Sequence, residues 1–450
     1  MTALDGQGPP HIAVLADDLT SAGDGAAPFL RSGHAARVLF AAPTEPVRTP
    51  GVTAIDLGTR LLDEPAAAAR TREAARRCAD VGLLFKTVDS TLRGHVPAEV
   101  LAARDGAGRS AVVIAPAFPA EGRVTVDGVQ YVRGVPVHES EYARDPVHPV
   151  RCADLAALFP GAARVGPGPG ETARLPGLVE EGGLIVCSAR GDDDLDRLVA
   201  VVACPDDVLW VGSPGLAAAL ARRWPAVAGG AVDVPGAARR TLVAVGSVNP
   251  ATRRQLAVLR ARTGVRAVTV GGDTAASASV SDSPWAPAPV AASVRYASTA
   301  PVLVVQTPGA RDTPAAARAL GRSLAELVRT LTEQRLVDTL VLTGGETAAT
   351  VLDALGITGI DLIDEPEPGV ARGTPLGGPG LPALIKSVLI KAGGFGDDDL
   401  LLRLCDLVRR PPHAPCPFPG FPRLSPAFPG TPASPASPAS PAPPIEETRA

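Results

Sequence analysis

Short β-branched or aliphatic runs recur along the chain, each followed by a loop of Gly, Ser, Asp or Thr and then by an Ala/Leu/Arg-rich helical stretch. That alternation predicts an α/β architecture with mainly parallel sheets. The runs that read as strands are HIAVLA from His11, GLLFKTV from Gly82, AVVIAPA from Ala111, GLIVCSA from Gly183 and VLWVGS from Val208. TLVAVGS from Thr241, PVLVVQT from Pro301 and TLVLTGG from Thr339 continue the series.

One segment departs from the pattern. Between Val124 and Val137, alternating residues flank Asp127-Gly128, which predicts a β-hairpin insertion. The stretch AGGAVDVPGAARR, ending at Arg240, is rich in small residues and Pro and separates two strand-and-helix series. It suggests a boundary between domains at 1–235 and 236–410, each with its own mainly parallel sheet, the two facing each other across a cleft. After Arg410 the chain turns to Pro, Ala, Ser and Gly, including PASPASPAS, too little apolar material to offset chain entropy. Residues 411–450 are therefore expected to be a disordered tail without a catalytic role.

Composition narrows the functional classes. The chain has 46% hydrophobic residues, ample for sizeable cores, but only 3% aromatics, so those cores must be aliphatic. A formal charge of −4 provides no overall basic field for nucleic acid or an anionic membrane, so an anionic ligand must be held by local charge. No apolar run is long enough to span a bilayer and MTALDGQGPP lacks the features of a secretory signal, which makes a cytoplasmic protein the expectation. The six cysteines (Cys78, Cys152, Cys187, Cys204, Cys405, Cys416) form no CxxC pair or zinc spacing and read as reduced, mostly core residues. Only three lysines occur, Lys86, Lys386 and Lys391, in a chain that otherwise uses Arg. A site that needs a compact ammonium resists exchange for a planar guanidinium.

Candidate chemistry in the first half lies after strands. Asp17 and Asp18 follow the first run directly, where a parallel sheet binds ligands, and Asp24 lies about two turns into the next helix. Helix capping by Asp18 or Thr20 is the simpler reading of that segment alone. The turn after Val88 is richer: Asp89, Ser90, Thr91 and Arg93, with Lys86 on the strand itself, exceed what capping needs. Hydroxyls and a guanidinium fork suit a ligand with a carboxylate and several alcohols. Glu121 and Arg123, then Arg144, Asp145 and His148, rank below this turn.

In the second half, Gly246 and Ser247 end a strand, with Asn249 as N-cap and Pro250 as first helical residue, leaving amides free for phosphate or hydroxyl groups. Gly344 and Gly345 repeat the arrangement, with Glu346 and Thr347 opening a helix, although no Walker A sequence is present. Lys391 precedes Gly393, Gly394 and Gly396. Three glycine turns with a lysine make a nucleoside triphosphate the better guess.

These motifs, ADDLT, KTVDSTLRG, APAFPAEGR, DGVQY, GVPVHESEYARDPVHPV, GS, TGGET and KAGGFG, resemble in order and spacing those of the four-carbon acid sugar kinases, over roughly residues 11 to 403. The resemblance implies an acid-sugar-binding N-terminal domain, an ATP-binding C-terminal domain, and phosphorylation of threonate, erythronate or a 3-oxo relative at the terminal hydroxyl to give the 4-phosphate. It carries substrate roles to Asp17, Asp18, Arg60, Lys86, Asp89, Ser90, Thr91 and Arg93, with Arg60 from the strand-end segment AIDLGTR. Nucleotide roles go to Ser247, Gly344, Gly345, Glu346, Thr347, Lys391, Gly393 and Gly394. Two departures stand out: Ser21 replaces the usual Gly, and Ala392 replaces the usual Ser after the lysine.

The mechanism expected is alignment and charge neutralisation with ATP and Mg²⁺, the metal ligands being left open. Arg60 and Arg93 would hold the carboxylate, Asp89 or Asp17 would orient or deprotonate the hydroxyl, and Lys86 and Lys391 would steady the triphosphate. Partners are then the acid sugar and ATP, with neither nucleic acid nor membrane, and homodimerisation open. A catalytically silent sugar-acid sensor on the same fold is the rival from another class. A dehydrogenase fits poorly, because no GxGxxG follows the first strand.

Overall fold

Strands β1 (His11–Ala16), β3 (Gly51–Asp56), β4 (Leu83–Thr87), β5 (Ala111–Ala115) and β11 (Val208–Gly212) are buried at nearly every position, as a parallel strand covered on both faces must be. The computed structural model describes residues 11–145, 148–226, 234–270, 296, 299–309 and 313–410. The tail at 411–450 and Cys416 lie outside them. Completing the first half are β2 (Ala36–Leu39), β9 (Ala163–Val165) and β10 (Gly183–Cys187). The second half contains β12 (Thr241–Val245), β13 (Val265–Thr269), β14 (Val302–Gln306), β15 (Thr339–Thr343), β16 (Ile357–Glu367), β17 (Val370–Gly377) and β18 (Ser387–Lys391).

The chain is α/β with mainly parallel pairing, as expected, but its two halves do not form separate sheets. Among the described residues one sheet of 15 strands runs in the order β13-β14-β12-β15-β18-β17-β16-β2-β3-β1-β4-β11-β5-β10-β9. The seam is antiparallel: Gly359, Ile360 and Asp361 of β16 lie opposite Leu39, Val38 and Arg37 of β2. Arg37 and Asp361 add a 3.1 Å ion pair. A methyl group on Gly359 would come within 2.5 Å of the Val38 carbonyl oxygen, so the close approach at the seam requires glycine. One hydrophobic core continues through it, from Ile12 and Val14 to Ile360, Leu342 and Val388. The long β16–β17 hairpin escaped the strand reading because polar residues, Pro366 and Gly369 interrupt it.

This seam decides where the strand ends point. Three antiparallel steps (β2 to β16 to β17 to β18) reverse the strands of the second half relative to the first. Neighbouring strands also rotate by roughly 20–25° each, so the six steps from β15 to β1 add roughly 120–150°. The helix starts that follow β1 and β15 lie close together, at Thr20 and Gly345.

The predicted hairpin is present as β6 (Arg123–Val126) and β7 (Val129–Val132), with β8 (Val135–Pro136) as a third strand. Asp127 and Gly128 both have positive φ, 50° and 81°, as the tight turn demands. Cys78, Cys187 and Cys405 are buried, and burial pushes each thiol up to about 12, which leaves them unreactive. No helix among the described residues is long and apolar enough to cross a membrane.

Candidate active site

Asp18 caps the helix Leu19–Arg31: extended at φ −146°, it accepts from the Ser21 amide at 2.7 Å and from Thr20 Oγ1 at 2.9 Å. The capping reading of that segment therefore holds, and the same turn also carries charge. Arg60 arrives just beyond the end of β3 and donates Nε to Asp17 Oδ2 at 2.8 Å and Nη2 to Asp17 Oδ1 at 3.0 Å. Its Nη1 reaches Asp18 Oδ2, and Nη2 also donates to Ser21 Oγ at 3.1 Å. Ser21, at a position where the resemblance leads one to expect Gly, is thus a direct partner of Arg60.

The turn after β4 lies beside this group. Asp89 accepts from the Thr91 amide at 2.9 Å, from Thr91 Oγ1 at 2.8 Å and from Arg93 Nε at 2.5 Å. Arg123 Nη1 donates to Ser90 Oγ at 2.9 Å, which brings a residue ranked low in the sequence into the same cluster. A methyl group on Gly94 would lie 3.4 Å from Asp17 Oδ2, so the two turns touch. Gly94 has φ +91°, a conformation that also favours glycine.

Lys86 has a carboxylate partner within the protein. It is 1% exposed, donates Nζ to the Thr87 carbonyl at 2.8 Å and forms an ion pair with the buried Glu99 at 2.9 Å. Its charge acts on the site at a distance. Burial pushes Asp17 up, but the Arg60 and Lys86 charges and the hydrogen bonds from Arg60 and Ser21 outweigh that, and its carboxyl stays below the ordinary range. Arg60 loses by burial and gains more from Asp17 and Asp18, so it remains a cation. Asp56, buried at the end of β3 with one hydrogen bond from the Gly58 amide, is pushed up to about 7 by desolvation. Asp24 does not join this mouth. It lines a small cavity with Glu365 and Asp364 of β16, where burial and the Glu365 and Asp18 charges push it up to about 8.

In the second half three glycine turns converge. A methyl on Gly246 would overlap Thr347 Oγ1 at 2.2 Å, one on Gly344 would lie 3.6 Å from Ser247 Cβ, and one on Gly393 would lie 3.2 Å from Ser247 Oγ. Asn249 caps the helix Pro250–Arg260 by accepting from the Ala251 amide at 2.9 Å. The helix Gly345–Ala354 has no such cap: its N-cap is Gly344, at φ +87°, and no side chain accepts from its first amides. Those amides, with the positive end of the helix dipole, are suited to an anion. Lys391 is 0% exposed and donates Nζ to the Ala392 and Gly393 carbonyls at 2.8 and 3.3 Å. Burial pulls it down to about 8, and no carboxylate among the described residues pairs with it. Thr252 and Gln255, which nothing in the sequence marked, anchor the last turn by donating to the carbonyls of Gly393 and of Phe395, Gly396 and Asp397.

The acid-bearing and glycine-bearing turns meet at one contact. A methyl on Gly345 would sit 3.8 Å from Thr20 Cγ2, which brings the Asp18-capped helix start against the uncapped one. On the first-half side of that contact lie Asp17, Asp18 and Arg60 with the turn of Asp89, Thr91 and Arg93, and on the other side Gly344, Ser247 and Thr347, whereas Asp24 lies apart. The residues passed over or ranked low were Arg123, Tyr142, Asp145 and His148. Arg123 is marked by its place in the loop after a strand, and Tyr142, Asp145 and His148 by the density of charged and aromatic residues in a Pro-interrupted stretch.

The chain matches the description "Sugar-binding N-terminal domain" over residues 12–220 and "Nucleotide-binding C-terminal domain" over residues 242–401. It is 37% identical to a D-threonate kinase of Bordetella bronchiseptica, covering 89% of this chain and 98% of that one. It is also 35% identical to a D-threonate kinase of Cupriavidus necator (86% and 95%) and 31% identical to a 3-oxo-tetronate kinase of Methylobacterium radiotolerans (88% and 99%). A crystal structure from Salmonella typhimurium LT2, provisionally described as a tRNA synthase, superposes with a TM-score of 0.72 at 23% identity, over 88% of this chain and 99% of that one. At that identity the likeness speaks for the fold alone. With both domain types in order and kinases matched over nearly their whole length, the chain belongs to the four-carbon acid sugar kinase family, phosphotransferases that act on a hydroxyl group.

Proposed function

We propose that this chain transfers the γ-phosphoryl group of ATP to the terminal hydroxyl of a four-carbon acid sugar, giving the 4-phosphate, with D-threonate as the first substrate to test. Residues 1–235 are read as the acid-binding half and 236–410 as the nucleotide half, working in the cytoplasm where ATP is supplied. The observation that carries the reading is the contact of Thr20 with Gly345, which sets an arginine- and hydroxyl-lined turn beside uncapped helix amides. Phosphoryl transfer asks mainly for this juxtaposition and for charge neutralisation.

Roles follow from which donors remain open. Each terminal nitrogen of Arg60 already has a protein acceptor, so Arg60 fixes Asp17, Asp18 and Ser21 rather than gripping substrate alone. Arg93, engaged through Nε and Nη1, keeps its Nη2 edge for the carboxylate, with Arg123 nearby. Asp17, held ionised by its cations, is a poor proton acceptor. Asp89 accepts three hydrogen bonds and retains a lone pair to orient the attacking hydroxyl. The amides of Gly345, Glu346 and Thr347, with Ser247, Gly393, Gly394 and Lys391, cradle the phosphates.

Mg²⁺ fits as an ion carried on the phosphates. Among the described residues no group of three or more His, Cys, Asp or Glu side chains is arranged to cage a metal, and Mg²⁺ is commonly held by one or two carboxylates plus phosphate oxygens. Asp18 and Glu346, on the two turns that meet, would be the carboxylates to hold it. An ion held there would supply positive charge to offset the negative charge of the phosphates.

The test is ADP release with D-threonate, D-erythronate and 3-oxo-tetronates in turn, with phosphorus NMR of the product. Release that depends on one acid and yields a primary phosphate ester is expected. Saturable binding of acid and ATP with no ADP from any of them would reject the kinase assignment.

A further inference from the structure

Residues 141–145 and 148–150 reach Arg93, Arg123 and the backbone of Arg60. Asp145 Oδ2 accepts from Arg93 Nη1 at 3.3 Å, and the Arg93 guanidinium lies 5.2 Å from the centre of the Tyr142 ring, a cation–π distance. The Tyr142 hydroxyl in turn accepts from Arg123 Nη2 at 3.3 Å. Three residues on, the His148 amide donates to Asp145 Oδ1 at 2.8 Å, so one carboxylate joins Arg93 to the His148 backbone. The His148 ring then bonds through Nε2 to the carbonyl oxygen of Arg60. A carbonyl only accepts, so Nε2 carries the proton and the tautomer is fixed.

A second histidine works on the same segment. His95, at the N-terminal boundary of the helix Val96–Ala107, donates Nε2 to the Leu62 carbonyl at 2.8 Å and meets His148 edge to face, with ring centres 5.0 Å apart. Residues 60–62 are thus clamped by two imidazoles from different parts of the chain. The clasp closes on itself through the Val150 amide, which donates to the Tyr142 carbonyl at 3.0 Å.

The geometry points to Asp145 and His148 as positioning residues: one stretch aligns the Arg93 side chain and the Arg60 backbone relative to each other before substrate arrives. Neither group has to touch the reacting atoms. The consequence for catalysis rests on the proposed use of Arg93 at the substrate carboxylate, whereas the alignment itself does not. An arginine pre-set by its neighbours loses less freedom on binding a carboxylate, so affinity for the acid depends on the clasp and affinity for ATP does not.

Two readouts separate these levels. In the full chain, NMR of the arginine Nε–H groups reports hydrogen exchange for Arg60 and Arg93, both of which donate to carboxylates. His148→Ala should speed exchange at Arg60 and Asp145→Asn at Arg93, each about tenfold or more, while His148→Gln, whose amide still donates to a carbonyl, restores slow exchange. In kinetics with D-threonate and ATP, His148→Ala and Asp145→Asn should raise KM for the acid about tenfold and leave KM for ATP within twofold, with His148→Gln intermediate. Unchanged exchange at both arginines in both variants overturns the clasp. Faster exchange with an unchanged KM for D-threonate supports the clasp and instead removes Arg93 from the acid-binding role. If His148→Ala does not fold, the Asp145→Asn and His148→Gln pair decides the matter by the same two measurements.

Discussion

Lys86 and Lys391 occupy matching places in the two halves, near the carboxyl ends of buried strands, and each donates Nζ to the next carbonyl at 2.8 Å. Their surroundings differ in one respect. Lys86 has Glu99 at 2.9 Å, so its charge is closed within the protein. Among the described residues Lys391 has only the carbonyls of Ala392 and Gly393, and burial alone pulls it down to about 8. A buried ammonium without a counter-ion gains most from an anion brought to it, which is what a triphosphate supplies. The third lysine, Lys386, pairs with Asp338 at 2.9 Å near the surface and takes no part in this contrast. The first-half turns carry paired charges and hydroxyls, whereas the second-half turns carry uncapped amides and a lysine with no carboxylate partner among the described residues.

The largest expected effect tests the chemistry that the acid half surrounds. Asp89→Asn should lower turnover by roughly 10²–10⁴ while ATP affinity stays within twofold, measured by steady-state kinetics and nucleotide titration. Equal turnover in that variant would leave Asp89 as a turn former. Next comes the lysine contrast itself. Lys86→Met strands Glu99, whose Oε1 already lacks a partner, and should destabilise the fold by about 3–5 kcal/mol in urea titrations. Adding Glu99→Leu should recover most of it. Lys391→Met should leave the unfolding midpoint near that of the parent and raise KM for ATP by roughly 10–100-fold, since it removes a charge-assisted contact to phosphate. If the two single variants behaved alike, the contrast would be wrong.

A smaller effect depends on pH. The Lys391 ammonium is lost as pH rises through about 8, well below its ordinary 10.5, so ATP affinity should fall across pH 8 and stay flatter in Lys391→Met. Asp24 shifts the other way. With its folded value near 8 against an ordinary 3.8, its contribution to stability is full below the ordinary value and lost as pH climbs through 8. Asp24→Asn should therefore melt a few degrees above the parent at pH 9 and lose that advantage toward pH 5, as followed by calorimetry. A constant difference across pH would show that Asp24 does not titrate there. The smallest effect expected is that of Ser21→Gly, which removes one acceptor from Arg60 and should change KM for the acid by two- to tenfold.

Much of this was legible in the chain, because it rests on local rules. Asp18 as a cap, Asn249-Pro250 as a helix start, Asp127-Gly128 as a hairpin turn and glycines after strands follow from the conformational preferences of a few adjacent residues. The apolar runs named as strands are strands because burial on both faces leaves no polar position to interrupt them. The short or interrupted strands β2, β9, β13, β16 and β17 had no such signature, since their burial comes from partners distant in sequence.

The sequence by itself therefore determined the strand-loop-helix alternation and the chemical inventory of each turn. Only the tertiary structure decided that one sheet joins both halves through an antiparallel seam, and that Lys86 turns inward to Glu99 while Lys391 has no carboxylate partner among the described residues. It also brought His148 to the carbonyl of Arg60, 88 positions away. The physical reason is the same in each case: backbone preference acts over a few residues, whereas an ion pair or a buried hydrogen bond depends on which surfaces packing brings together.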